Sequence, residues 1–170
     1  MTRASMIGAL FLGMASLSGA ASSFDGRYVL DKVRSADVGK AIEEATASMN
    51  FASRHIARSR LAKTNISPAD VSLSVTDRVE IGMGAKPVSV LPDGKAVSWT
   101  RPDGEVFQVS VRLEGDRLVE TFQGKDGSRR NTFALLDGGQ AVAMDVLVES
   151  TRLPQPVSYR LVFRRSLQSP

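Results

Sequence analysis

The stretch AVSWTRPDGEVFQVSVRLEGDRLVETFQGKDGSRRNTFALLDGGQAVAMDVLVESTRLPQPVSYRLVFRR, from Ala96 to Arg165, decides the fold. It divides into six runs: Ala96–Arg101, Glu105–Leu113, Arg117–Gln123, Ser128–Leu136, Gln140–Ser150 and Pro156–Arg165. Between them stand Pro102-Asp103-Gly104, Glu114-Gly115-Asp116, Gly124-Lys125-Asp126-Gly127, Asp137-Gly138-Gly139 and Pro154-Gln155-Pro156. Glycine supplies positive φ at little cost, aspartate tolerates it and proline pre-sets a turn, so each cluster reverses the chain. Short strands at near-regular spacing predict an antiparallel meander, hence a sandwich or barrel.

The chain upstream extends the same pattern. Phe24 to Val33 reads as a first strand, with Gly26 permitting a bend at its entry. Asp37 to Lys63 changes period. Val38, Ile42, Ala45, Met49, Ala52 and Ile56 recur at steps of three and four, which predicts one amphipathic helix, or two broken near Asn50. Asp37 is placed to cap it, and Arg54, Arg58, Arg60 and Lys63 crowd its end, where cations suit the helix dipole. Val71–Thr76 and Arg78–Met83 read as a hairpin, and Val88–Leu91 as a short strand. The sum is an all-β domain over 24–166: ten antiparallel strands, up and down, with a helical lid (37–63) between strands 1 and 2. Closure into a barrel removes the exposed edges that an open sheet would leave.

Arg3, the apolar run Met6–Leu17 and the small residues Gly19-Ala20-Ala21 read as a signal peptide over residues 1–21, cleaved after Ala20 or Ala21. The chain is therefore expected to be periplasmic or secreted. It has no cysteine, which excludes disulfides, thiolate metal sites and a cysteine nucleophile. Its 42% hydrophobic content suffices for a core, and its net charge of +4 is mixed along the chain. No basic run interleaved with aromatics points to nucleic acid. Asn65-Ile66-Ser67 is formally a glycosylation sequon, but Pro68 follows it, and the match reads as coincidence.

Strand parity gives the inward set. On the second meander run Phe107, Val109 and Val111 share a face, joined by Trp99 from the first; on the fifth, Met144 and Val146. The last strand offers Tyr159, Leu161 and Phe163, the fourth Phe133, and the first strand Tyr28. These side chains either fill the interior or wall a pocket for an apolar ligand, and parity does not separate the two. A hollow of roughly 300 Å³ or more would mark a ligand site. The face of Leu118, Glu120 and Phe122 is mixed, and its direction stays open.

The pattern resembles the calycins, and the fatty-acid-binding-protein branch in particular. Phe24-Asp-Gly-Arg-Tyr28 is similar to the Phe-x-Gly-x-Trp/Tyr opening of that branch, and the helical segment falls where it carries its lid. The closing run, with Leu135-Leu136-Asp137-Gly138 and Tyr159-Arg-Leu-Val-Phe163, is similar to its last hairpins. Lipocalins carry a helix after the barrel, and this sequence shows none there. The resemblance implies a non-enzymatic carrier of an apolar or weakly polar small molecule, a lipid among the candidates. The branch anchors a ligand carboxylate with an Arg-x-Tyr pair on the last strand and an inward arginine on the eighth. Aligned by the turns, those positions hold Leu161, Phe163 and Phe133 here, all apolar. A carboxylate buried among them would lack a cationic partner. Arg129 is the candidate polar anchor if it faces in, and Arg160 has the wrong parity. The branch is intracellular, so the export signal is a second departure.

His55, the single histidine, reads as a surface helical residue. No nucleophile motif, phosphate loop or metal-ligand spacing is present, so neither an enzyme, a cofactor nor a metal is expected. Arg54, Arg58, Arg60 and Lys63 read as a solvated face or as a portal that touches anionic membrane transiently. The competing function is an envelope module with a filled barrel that binds another protein.

Overall fold

The computed structural model describes residues 24–84 and 86–166. The expected signal peptide lies outside them. Strands β1 (Gly26–Leu30), β2 (Asp70–Val75), β3 (Val79–Gly82), β4 (Val88–Val90) and β5 (Val97–Thr100) precede β6 (Val106–Glu114), β7 (Arg117–Gln123), β8 (Gly127–Leu136), β9 (Ala141–Ser150) and β10 (Val157–Arg165). All pair antiparallel in one sheet, in the order β4-β3-β2-β1-β10-β9-β8-β7-β6-β5. The first and last strands of the chain thus lie side by side, and the sheet curls into a nearly closed barrel. The seam lies between β4 and β5, which share no ladder. Side chains cross it instead: Trp99 Nε1 donates to Pro87 O at 3.3 Å and Lys86 Nζ to Thr100 O at 2.7 Å.

Two helices, not one, separate β1 from β2: α1 (Val38–Ala45) and α2 (Phe51–Thr64). Asp37 caps α1 by accepting from Lys40 N, as its position predicts. The Thr46 hydroxyl bonds back to Ile42 O at 2.8 Å and ends that helix, and Asn50 caps α2 by accepting from Ser53 N. The break resets the helical phase. Ile42 and Ala45 of the expected apolar stripe are buried, whereas Ala52 and Ile56 face solvent. No residue of α2 is buried. Arg58 fastens it to α1, donating to Thr46 Oγ1 at 3.0 Å and Glu43 O at 3.3 Å, and Arg54 donates twice to Met49 O in the connecting turn.

The first strand is shorter than its sequence suggests. Asp31 Oδ1 accepts from Val33 N and Arg34 N, folding the chain into a side-chain-capped turn that ends β1. The segment that follows runs along β10, with Ser35 bonded to Val162 and Ala36 N donating to Arg160 O. It covers the outer face there, which is why Val162 is buried although it points away from the interior.

At the end opposite the helices, Phe24 and Tyr28 close the barrel. The Tyr28 hydroxyl donates to Phe24 O at 3.0 Å, and the Arg165 guanidinium lies 4.7 Å above its ring. Gly26 sits beneath that guanidinium with φ of 147°, and a Cβ there would stand 2.5 Å from Arg165 Nη1. The spacing Phe-x-Gly-x-Tyr follows from this plug: the two aromatics close the end, and only glycine leaves room for the arginine. Gly26→Ala is expected to lose about 1–3 kcal/mol in urea unfolding, from backbone strain plus displacement of Arg165. An unchanged urea midpoint would exclude that account of the motif.

Candidate binding site

Cross-strand register arranges the inward side chains in rungs. The rung nearest the plug holds Leu135, Val142 and Phe163, and the next includes Leu118, Phe133, Met144 and Leu161. Above it, toward the helices, stand Val111, Glu120, Asn131, Val146 and Tyr159. The next rung holds Val109, Phe122, Arg129, Val148 and Val157. Tyr28, Val109, Val111, Phe133, Met144 and Phe163 have no accessible surface, and Val146 and Leu161 have 1%. A void wide enough for water would leave accessible area on its walls. These side chains are therefore packed at interior density rather than arranged around a hollow.

The helix-capped end is looser. Trp99, Phe107 and Phe122 pack against the core but are only partly buried. They form an aromatic trio, with centroids 6.5 Å apart for Trp99–Phe107, 5.6 Å for Trp99–Phe122 and 6.2 Å for Phe107–Phe122. Arg129 and Val148 on the same side are also partly buried. Every residue named inward by strand parity lies in or against this one apolar cluster.

A polar chain crosses the apolar interior. Asn131, fully buried, donates through Nδ2 to Glu120 Oε2 at 2.8 Å and accepts from Arg129 Nε at 2.9 Å. Arg129 Nη1 reaches the end of α2, at 3.4 Å from Thr64 O and 3.5 Å from Asn65 Oδ1. The Tyr159 hydroxyl donates to the same Asn65 oxygen at 3.2 Å. Asn65, at the C-cap of α2, is buried and donates to Leu61 O at 3.0 Å, so the amide of the formal sequon is turned away from solvent. A hydrogen-bonded path therefore runs from the barrel interior to the lid.

Glu120 is the anomaly in this path. It has no accessible surface, and its Oε1 finds no hydrogen-bond partner among the described residues. Burial pushes its carboxyl up to about 7, against the opposing effects of the Asn131 hydrogen bond and the Arg129 charge. Burial likewise raises the Tyr159 phenol, with the Arg129 charge opposing. Tyr159→Phe removes one neutral hydrogen bond to the lid and is expected to cost about 1 kcal/mol in chemical denaturation. No loss would mean that the hydroxyl contributes nothing to holding α2.

The candidate anchor Arg129 faces inward. Arg160 points out and pairs with Asp145 at 2.6 Å. Of the basic helical residues, Arg58 holds α1 and Arg54 the turn between the helices, while Arg60 and Lys63 stay exposed. Glu120 and Asn131 are the residues that parity alone did not assign to the site.

The architecture matches solved barrels at low sequence identity. The apo lipid binding protein 8 of Caenorhabditis elegans is 15% identical with a TM-score of 0.55, covering 91% of this chain and 100% of its own. This is the fatty-acid-binding-protein fold. Human cRBP IV shares it at 19% identity and TM-score 0.54, over 84% of this chain and 97% of its own. So does the SAHS (abundant heat soluble) protein of Ramazzottius varieornatus, at 8% identity and TM-score 0.56, over 85% and 96%. No protein-family model and no curated sequence matches the chain. The polar chain lies between the end of α2 and the packed core.

Proposed function

We propose that this protein is an exported, non-enzymatic binding protein for a compact apolar molecule, held in the helix-capped half of the barrel. The observation that carries the reading is the looser packing of the helix-capped end, where Trp99, Phe107 and Phe122 are only partly buried above the filled rungs. The filled rungs around Phe133, Met144, Leu161 and Phe163 leave the helix-capped end as the ligand compartment and argue against a long acyl chain. Neighbours named for lipid or fatty-acid binding lend support to a carrier role. The Met6–Leu17 run supports export to the periplasm or the medium. Arg60 and Lys63, beside the exposed Phe51 and Ile56 of α2, are available for transient contact with an anionic membrane surface during loading.

Native mass spectrometry of protein isolated from its own host, with titration of Trp99 fluorescence, tests the reading. A co-purified small molecule and a shift of Trp99 emission are expected. A bare protein, with emission indifferent to apolar compounds, overturns it. The zero accessibility of so many inner side chains favours one rival, a filled barrel that binds a protein through its outer surface. A specific partner crosslinked through Lys63 on a ligand-free barrel would establish that rival instead.

A further inference from the structure

We propose that α2 is a pH-dependent lid: its C-terminal end lifts from the barrel as Glu120 ionises, because lifting it is the shortest way to bring water to that carboxyl. The inference requires no ligand and goes beyond the binding reading. It stands on how the helices are held, on where the polar chain leads and on what faces Glu120.

The two helices are held differently. α1 buries Ile42 and Ala45 in the core cluster. α2 buries no residue along its length, and its Leu61 packs only partly against the core. Its C-terminal end is fixed by polar contacts instead. Arg129 Nη1 lies 3.4 Å from Thr64 O and 3.5 Å from Asn65 Oδ1, and the Tyr159 hydroxyl lies 3.2 Å from that same oxygen. Contacts of this length, on an element without a buried face, make α2 the segment most ready to open locally.

The same contacts lead to Glu120. Arg129 bonds Asn131, and Asn131 bonds Glu120 Oε2, whereas Oε1 is buried without a hydrogen-bond partner among the described residues. Toward the plug the interior is shut. Leu118, Phe133, Met144 and Leu161, then Phe24 and Tyr28, have at most 1% of their surface accessible. On the other side of Glu120, Phe122, Arg129 and Val148 are only partly buried. The short route for water to the carboxyl therefore passes Asn65 and Arg129.

The groups that face Glu120 do not secure its charge. β6 presents Val111, β9 Val146 and β10 Tyr159, whose phenol burial keeps protonated. The end of α2 presents the uncharged Thr64 and Asn65. Arg129 on β8 brings the one charge that acts on Glu120, but it is engaged with Asn131, Tyr159 and α2, and burial outweighs it. The closed barrel holds the Glu120 proton to about 7, whereas a hydrated carboxyl releases it near 4.5. Below 4.5 both arrangements are protonated and the lid is at its most secure. As pH rises through 7 the open arrangement ionises first, and opening gains on the order of 100-fold between pH 4.5 and pH 8.

Amide hydrogen exchange of the native protein, followed by mass spectrometry across that pH range and corrected for the intrinsic rate at each pH, tests the lid. Protection in the last turn of α2 and at Asn65 is expected to lie well below that of β8 and β9 at every pH, the mark of an opening short of unfolding. It is also expected to fall on the order of 100-fold from pH 4.5 to pH 8, and Glu120→Gln is expected to flatten that fall. Protection of α2 that does not change with pH overturns the inference. So does protection of α2 equal to that of β8 and β9 throughout, which would mean that α2 opens only when the barrel unfolds. Both of these outcomes are read on the native protein without any variant. A fall that persists in Glu120→Gln overturns the inference as well, by assigning the effect to another group.

Discussion

Glu120→Gln is expected to raise the melting midpoint at pH 8 by roughly 10 °C and to leave it nearly unchanged at pH 4. The sign follows from the raised carboxyl. In the unfolded chain Glu120 releases its proton near its ordinary value of 4.5, whereas in the barrel it holds it to about 7. Below 4.5 both states are protonated and the residue costs nothing by this route. As pH rises toward 7 the unfolded state gains the freedom to ionise and the folded state does not. Above 7 the loss is complete, at about 3 kcal/mol for a displacement of this size. Glutamine does not titrate and keeps a carbonyl for Asn131, so the difference between the two proteins isolates one group. A gap that does not grow between pH 4 and pH 8 would show that the site is not dry enough to hold the proton.

Phe133→Ala is expected to cost about 3–5 kcal/mol, read as a lowered denaturant midpoint with an unchanged slope. Phe133 has no accessible surface and lies between Leu118 and Met144 across the β7–β8 and β8–β9 ladders. Truncation there removes a ring from close-packed neighbours and leaves a void that rigid strands cannot collapse. The variant, unlike the native protein, is expected to take up benzene in that void. A loss under about 1 kcal/mol would instead mean that the ring borders space already empty. This substitution therefore separates a filled inner half from a hollow one.

Much of the barrel is legible in the residues. The turn clusters place the strand ends to within a residue or two from β5 onward, because glycine, aspartate and proline act locally. Alternation fixes the inner face wherever one face is uniformly apolar, as in Val142, Met144, Val146 and Val148. The β7 face carries Leu118, Glu120 and Phe122, so alternation alone is silent there. The signal lies in the neighbouring strand. The short Gly124–Gly127 hairpin sets Gln123 opposite Ser128, which brings Glu120 against Asn131 and Phe122 against Arg129. Polar inward residues on adjacent strands then explain one another. Such pairing is a property of two strands and escapes a strand-by-strand reading. The helical region, read as one helix or as two broken near Asn50, takes the second form for a related reason. A continuous stripe through Met49, Ala52 and Ile56 fits one helix, but Thr46 and Asn50 each offer a side-chain bond that competes with it.

The ladder between β1 and β10 joins Tyr28 to Arg165 and Leu30 to Phe163. No partial chain emerging from a ribosome holds both edges of that ladder. The barrel cannot complete itself during synthesis, and its inner apolar faces stay uncovered until β10 is free to move. Closing so long a loop is slow compared with forming local hairpins. A chain that must remain unfolded until its last strand arrives is open to chaperones, and to passage through a narrow channel, for the whole of that interval.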